Sequence, residues 1–150
     1  MRKIKMNIVI VVSLLIFGLA SCSSGPEPIK LGQESCAFCK MTISDNRYGA
    51  EIVTKKGRAY KFDDTHCVMA FMKANRINNV DIKETYLVNF EEPHNFILVQ
   101  NAFLLKSNEL HSPMGGNTAA FDDKTKMDAA NVNIKGQGTV VTWEEMVKDN

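Results

Sequence analysis

The sequence predicts an α+β fold made of two small, related ββα-type halves. Short strand-like runs punctuated by Gly and Pro signals alternate with isolated helical patterns. In addition, the segment Tyr60-Lys61-Phe62-Asp63-Asp64 is echoed 59 residues later by Ala119-Ala120-Phe121-Asp122-Asp123. Both copies follow a glycine-containing stretch and precede a helix or turn signal. With 150 residues, 45% of them hydrophobic and 23% charged, the chain suits one compact domain or two very small ones.

Residues 1–21 read as an export signal. Arg2, Lys3 and Lys5 form a basic start, and Ile8 to Leu19 is almost wholly apolar. That run is shorter than the roughly 20 apolar residues a permanent span needs, and fits the core of a secretory signal peptide. It ends in Leu19-Ala20-Ser21-Cys22, which resembles the lipobox of bacterial lipoproteins. Cys22 is therefore expected to be lipidated and to become the mature N-terminus, its acyl chains tethering the protein to a membrane. Cleavage there removes three basic residues, leaving 15 against 17 acidic and a net charge of −2, so no field for nucleic acid is expected.

Residues 22–33 hold Ser23-Ser24-Gly25-Pro26-Glu27-Pro28, the composition of a flexible spacer. The first ββα half is expected over 34–80 and the second over 81–150. Ala50 to Lys55 and Arg58 to Phe62 read as strands joined by a turn at Lys56-Gly57. Asp64 or Thr65 is placed to cap a helix running to about Asn75, with Cys67, Val68, Phe71 and Met72 at helical spacing. Thr85 to Asn89 and Asn95 to Leu105 read as strands around a turn at Glu92-Pro93-His94. Thr142 is placed to cap a C-terminal helix from Trp143.

Sulfur carries the chemistry. With Cys22 lipidated, Cys36, Cys39 and Cys67 remain, an odd number where structural thiols usually pair, so at least one is left for reactivity or metal binding. In Cys36-Ala37-Phe38-Cys39-Lys40-Met41, an extended backbone would place Cys39 and Met41 on one side, about 6.6 Å apart. A thiolate with a thioether is a soft donor pair that favours Cu(I). A tight turn would add Cys36, and Lys40 would favour the Cys39 thiolate. Met114 sits in Ser112-Pro113-Met114-Gly115-Gly116, an irregular loop that does not explain a methionine as core. Met69 and Met72 read as core filler.

Other readings stay open. Cys36, Cys39, His66 and Cys67 have the composition of a structural zinc module, although His66 also reads as a solvated residue of the first helical turn. The Cys36/Cys39 pair alone suits a thiol oxidoreductase, but no βαβ pattern surrounds it. His111 lies three residues before Met114 and is a candidate extra donor. Asp63-Asp64 and Asp122-Asp123 read as caps and turns rather than catalytic carboxylates. No phosphate-loop, dinucleotide or nucleophile-elbow motif is present.

The lipobox at Cys22, the Cys36/Cys39/Met41 motif, Phe62-Asp63-Asp64 leading to Cys67, and Met114-Gly115 followed by Ala120-Phe121 together resemble the NosL family, the nitrous oxide reductase accessory lipoproteins. The resemblance runs from about Cys36 to Met146. It implies two related ββα-type halves with likeness to organomercurial lyase, and no enzymatic activity. It also implies a periplasmic Cu(I) chaperone that supplies nitrous oxide reductase, with a membrane copper exporter as possible donor. On this resemblance Cys39 and Met41 are the leading ligands, followed by Cys36 and then Met114. The third ligand and the parts played by His66, Cys67 and His111 are left open, as is which membrane holds the anchor.

Overall fold

A computed structural model describes residues 25–149. The expected signal peptide and the lipidation site Cys22 lie outside the described residues. No helix among the described residues is long and apolar enough to cross a membrane.

The fold is α+β, built on two antiparallel sheets. Strand β1 (Ala50–Thr54) is buried at every position and pairs with β2 (Ala59–Phe62) in a hairpin. Gly57 serves its turn with φ +78, a conformation that side chains rarely adopt. Helix α1 (Thr65–Lys73) follows directly. Strand β3 (Ile82–Val88) then returns to the other side of β1, and β4 (Phe96–Leu98) completes the order β2-β1-β3-β4.

The second sheet repeats this sequence of moves. Strands β5 (Phe103–Lys106) and β6 (Thr118–Phe121) pair, helix α2 (Lys124–Asn133) follows, and β7 (Thr139–Val141) returns to the far side of β5. Helix α3 (Trp143–Lys148) follows β7. Because β3 and β4 belong to the first sheet, the second begins at Phe103, well beyond residue 80.

Both capping expectations hold. The Asp64 side chain accepts from Cys67 N at the start of α1. Thr142 and Glu145 form a reciprocal capping box on α3. The second copy of the echo behaves alike: Phe121 ends β6 and Asp123 caps α2.

One expected element is corrected. The run Asn95 to Leu105 is not a single strand: a 3-10 turn at Val99–Asn101 separates β4 from β5, which sit in different sheets. The polar pair Gln100-Asn101 interrupts the apolar run at that turn, and reading across it merges two strands into one. A second difference concerns the spacer. Its Glu27 N–H donates to Glu51 Oε1, Pro28 O accepts from Lys61 Nζ, and Ile29 packs on the core, so the chain is already held upstream of Glu34.

Two apolar clusters hold the sheets. The larger contains Cys36, Ile43, Ile52, Phe62, Cys67, Val68 and Leu87, together with Leu104 and Ala120 of the second sheet. The smaller gathers Tyr48, Leu105, Leu110, Phe121 and Met127. The Tyr48 hydroxyl donates to Leu110 O at 2.5 Å, and Phe90 N donates to Ala120 O at 2.7 Å, tying the sheets by polar as well as apolar contact.

Candidate metal centre

Cys36 and Cys39 sit on a tight hairpin loop. Cys36 N donates to Met41 O (2.8 Å) and Lys40 N to Cys36 O (3.1 Å), while Ser35 bridges Thr42. Lys40 makes the turn in the left-handed region, at φ 68. Ala37 N donates to Lys61 O (2.7 Å), docking the loop on the outer edge of β2. Cys67 approaches from the first turn of α1, immediately after β2. The result is a group in which the sulfurs of Cys36, Cys39 and Cys67 all lie within 4.8 Å of one another. Cys36 and Cys67 are buried, and Cys39 is partly exposed.

The three thiols are not equivalent. Cys36 accepts a hydrogen bond from Cys67 and further ones from the backbone N–H groups of Cys39, Asp63 and Phe38, which bring its pKa down to about 5. Cys67 moves up, because its proton is held in the bond to Cys36 and because the site is buried. Burial also raises Cys39, against a lowering contribution from the Met41 N–H. At neutral pH the metal-free site is thus a thiolate at Cys36 with protonated partners beside it. Three sulfurs converging around one anion form a soft donor group suited to a soft cation.

Asp63 adds a buried carboxyl beside the thiols. It is 2% exposed, and its Oδ1 has no hydrogen-bond partner among the described residues. Burial, then the Cys36 charge and the neighbouring Asp64 and Asp45, push its pKa up to about 6.

The expected ligands are distributed unevenly around this group. Cys36 and Cys39 are in it. Met41 is 57% exposed, on the loop beside Cys39, with its backbone N–H facing the Cys39 sulfur. Met114 packs against the larger cluster, and its loop is fastened to the start of α1: Met114 N donates to Asp64 Oδ2 at 3.0 Å. Two details of the sequence reading are corrected. The backbone from Cys39 to Met41 is not extended, because Lys40 is left-handed. Lys40 does not promote a Cys39 thiolate either: its ammonium donates to Ala37 O, and Cys39 shifts up rather than down.

His66 does not join the thiols in the zinc-module arrangement. It is exposed and does not belong to the convergent group, as expected of successive residues in a helical turn that face different directions. His111 is exposed as well. Cys67 is the group member that the sequence reading placed only in the alternative zinc module. Its signal was present in outline: it stands three positions after the cap Asp64, just downstream of a strand that ends on the buried Phe62.

Comparison with known proteins supplies independent findings. The NosL family model matches residues 28–150. A solved structure, the crystal structure of the copper chaperone NosL from Shewanella denitrificans, superposes with a TM-score of 0.69 at 18% identity, covering 85% of this chain and 98% of that one. At that identity the likeness speaks for the fold. No curated protein matches.

Proposed function

Because the chain belongs to the NosL family, we propose that it is a Cu(I) carrier of the cell envelope, tethered through a lipidated Cys22, that hands its ion to nitrous oxide reductase in the periplasm. The observation that carries this reading is the convergence of three thiols within 4.8 Å, one of them partly exposed. The copper chaperone with the similar fold supports the choice of metal.

Copper is here a cargo rather than a cofactor. Cys36, already a thiolate, is the first donor, and Cys39 joins with loss of its proton to solvent. A thioether, from Met41 at the surface or Met114 on the facing loop, completes a low-coordinate shell. Cys67 holds its proton in reserve and orients the Cys36 sulfur. Soft donors and a low coordination number hold a monovalent ion tightly yet leave one side open. An incoming donor from a recipient attacks at that side, and the ion leaves by exchange of one sulfur at a time. No bond in the carrier is oxidised or reduced. A membrane copper exporter is the corresponding source.

The test is competition titration of the reduced protein with Cu(I) and, separately, Zn(II). Cys36→Ser and Cys39→Ser should abolish tight Cu(I) binding, and Met41→Ala should weaken it. Zinc binding tighter than copper and indifferent to Met41→Ala would overturn the reading. Transfer from the loaded protein to copper-free nitrous oxide reductase, followed by recovery of reductase activity, tests the recipient.

A further inference from the structure

We propose that Asp64 is the positioning residue of the sulfur site: one carboxylate caps the helix that carries Cys67 and clamps the Met114 loop over it, delivering the Met114 thioether to the ion. The proposal rests on the Cu(I) reading above and assigns the thioether donor that reading left between two methionines.

An N-cap needs one oxygen, and Asp64 Oδ1 fills that need by accepting from Cys67 N at 3.2 Å. The second oxygen does something else. Asp64 Oδ2 accepts from Ser112 Oγ at 2.7 Å, Met114 N at 3.0 Å and Gly116 N at 3.1 Å. All three donors come from one loop of the other sheet's hairpin, 48 to 52 residues away in sequence. The carboxylate is only 1% exposed, so water does not compete for it. A buried carboxylate with every donor matched is a strong, geometrically specific tie.

The loop is shaped to be held there. Asn117 N donates to Ser112 Oγ (2.7 Å) and Ser112 N to Asn117 Oδ1 (3.0 Å), closing the loop on itself. Gly116 lies so near the start of α1 that a Cβ would stand 2.7 Å from Thr65 Oγ1 and 2.8 Å from His66 N. No larger residue fits without moving one element off the other. The same turn of helix thus fixes Cys67 by its N–H and Met114 by its N–H, through the two oxygens of one side chain.

Two substitutions separate clamp from cap. In Asp64→Ser the hydroxyl still caps Cys67 N, but nothing replaces Oδ2. In Asp64→Asn the remaining oxygen still caps, while an NH2 group faces the two backbone N–H donors of Met114 and Gly116 and repels them. The experiment measures Cu(I) affinity by chelator competition, and sulfur coordination by X-ray absorption, on the reduced full chain in detergent. It compares wild type, Asp64→Ser, Asp64→Asn, Met114→Ala and the double variant Asp64→Ser/Met114→Ala. Each single variant should lose one sulfur neighbour and roughly tenfold in affinity, the range for losing an outer partner of a metal ligand. The double variant should lose no more than either single one, because both remove the same contact.

Asp64 variants that melt earlier but keep the wild-type sulfur count and affinity would mark a purely structural role and overturn the proposal. So would losses that multiply in the double variant. Wild-type binding with an unaffected Met114→Ala overturns this proposal alone, whereas absence of Cu(I) binding by the wild type overturns the parent reading and this one together. If the Asp64 variants fail to fold, Ser112→Ala removes one clamp donor and keeps the cap; it should show a smaller loss of the same kind, and unchanged affinity there counts against the clamp.

Discussion

Phe62-Asp63-Asp64 and Phe121-Asp122-Asp123 are the same local device put to different uses. Each ends a strand on a phenylalanine that is 0% exposed, and each caps the next helix with its second aspartate. There the likeness stops. Asp63 and Asp64 are 2% and 1% exposed and face thiols and a loop of the other sheet. Asp122 and Asp123 are exposed, with Lys126 bonding Asp122 at 3.0 Å and the N–H groups of Thr125 and Lys126 bonding Asp123. A strand-to-helix junction therefore supplies the scaffold, and covering it with a second hairpin turns one of the two copies into a site.

The comparison can be broken at several points. Phe62→Ala and Phe121→Ala should each destabilise the protein by about 3–5 kcal/mol, as expected for emptying a buried aromatic position. A large disparity in urea unfolding would mean that only one junction belongs to the folding core. Asp64→Ala should cost about 3 kcal/mol or more, since it strips a cap and leaves buried N–H donors without partners. Asp123→Ala loses a solvated cap only and should cost clearly less; equal losses would erase the distinction drawn between the two copies.

A third prediction sharpens the comparison through pH. Cys36 has a folded pKa near 5 against about 8.5 unfolded, so between them the unfolded chain binds more protons. Its contribution is fully present above the unfolded value and is lost as pH falls through the folded one. Stability of the reduced, metal-free protein should therefore rise from about pH 6 to about pH 8.5. Below that window Asp63, raised to about 6, acts with the opposite sign. Above it the raised Cys67 and Cys39 retain protons in the fold, and stability should fall again. Cys36→Ser should remove the rise; a pH profile unchanged by that substitution would show that the thiolate is not set by the fold. The smallest effect is expected at the exposed copy, where Asp122→Ala should scarcely alter the melting temperature because exposed ion pairs contribute little.

Much of this architecture is legible in the sequence because it depends on local chemistry. Asp64, Asp123 and Thr142 are short polar side chains placed where helix N–H groups lack partners, and each caps as its spacing suggests. The Lys56-Gly57 turn and the flanking strands follow from strand-like composition and punctuation. What the sequence conceals is tertiary. In Asn95 to Leu105 only the polar pair Gln100-Asn101 marks the step between sheets at Val99–Asn101, and a pair of polar residues does not say which sheet each flanking run joins. Cys67 joins Cys36 and Cys39 only because β2 carries the chain back beside the loop that precedes β1. The Cys39–Met41 geometry was misjudged because one left-handed residue, Lys40, turns the chain where two-residue spacing suggests a straight strand.

The hydrogen bond from Ala37 N to Lys61 O has a bearing on solubility. β2 is an outermost strand, and such margins invite pairing with another molecule. The cysteine loop occupies part of that margin, so it guards against self-association while it holds sulfur. Were the loop sprung free, that stretch of β2 backbone would stand open to pairing with another strand.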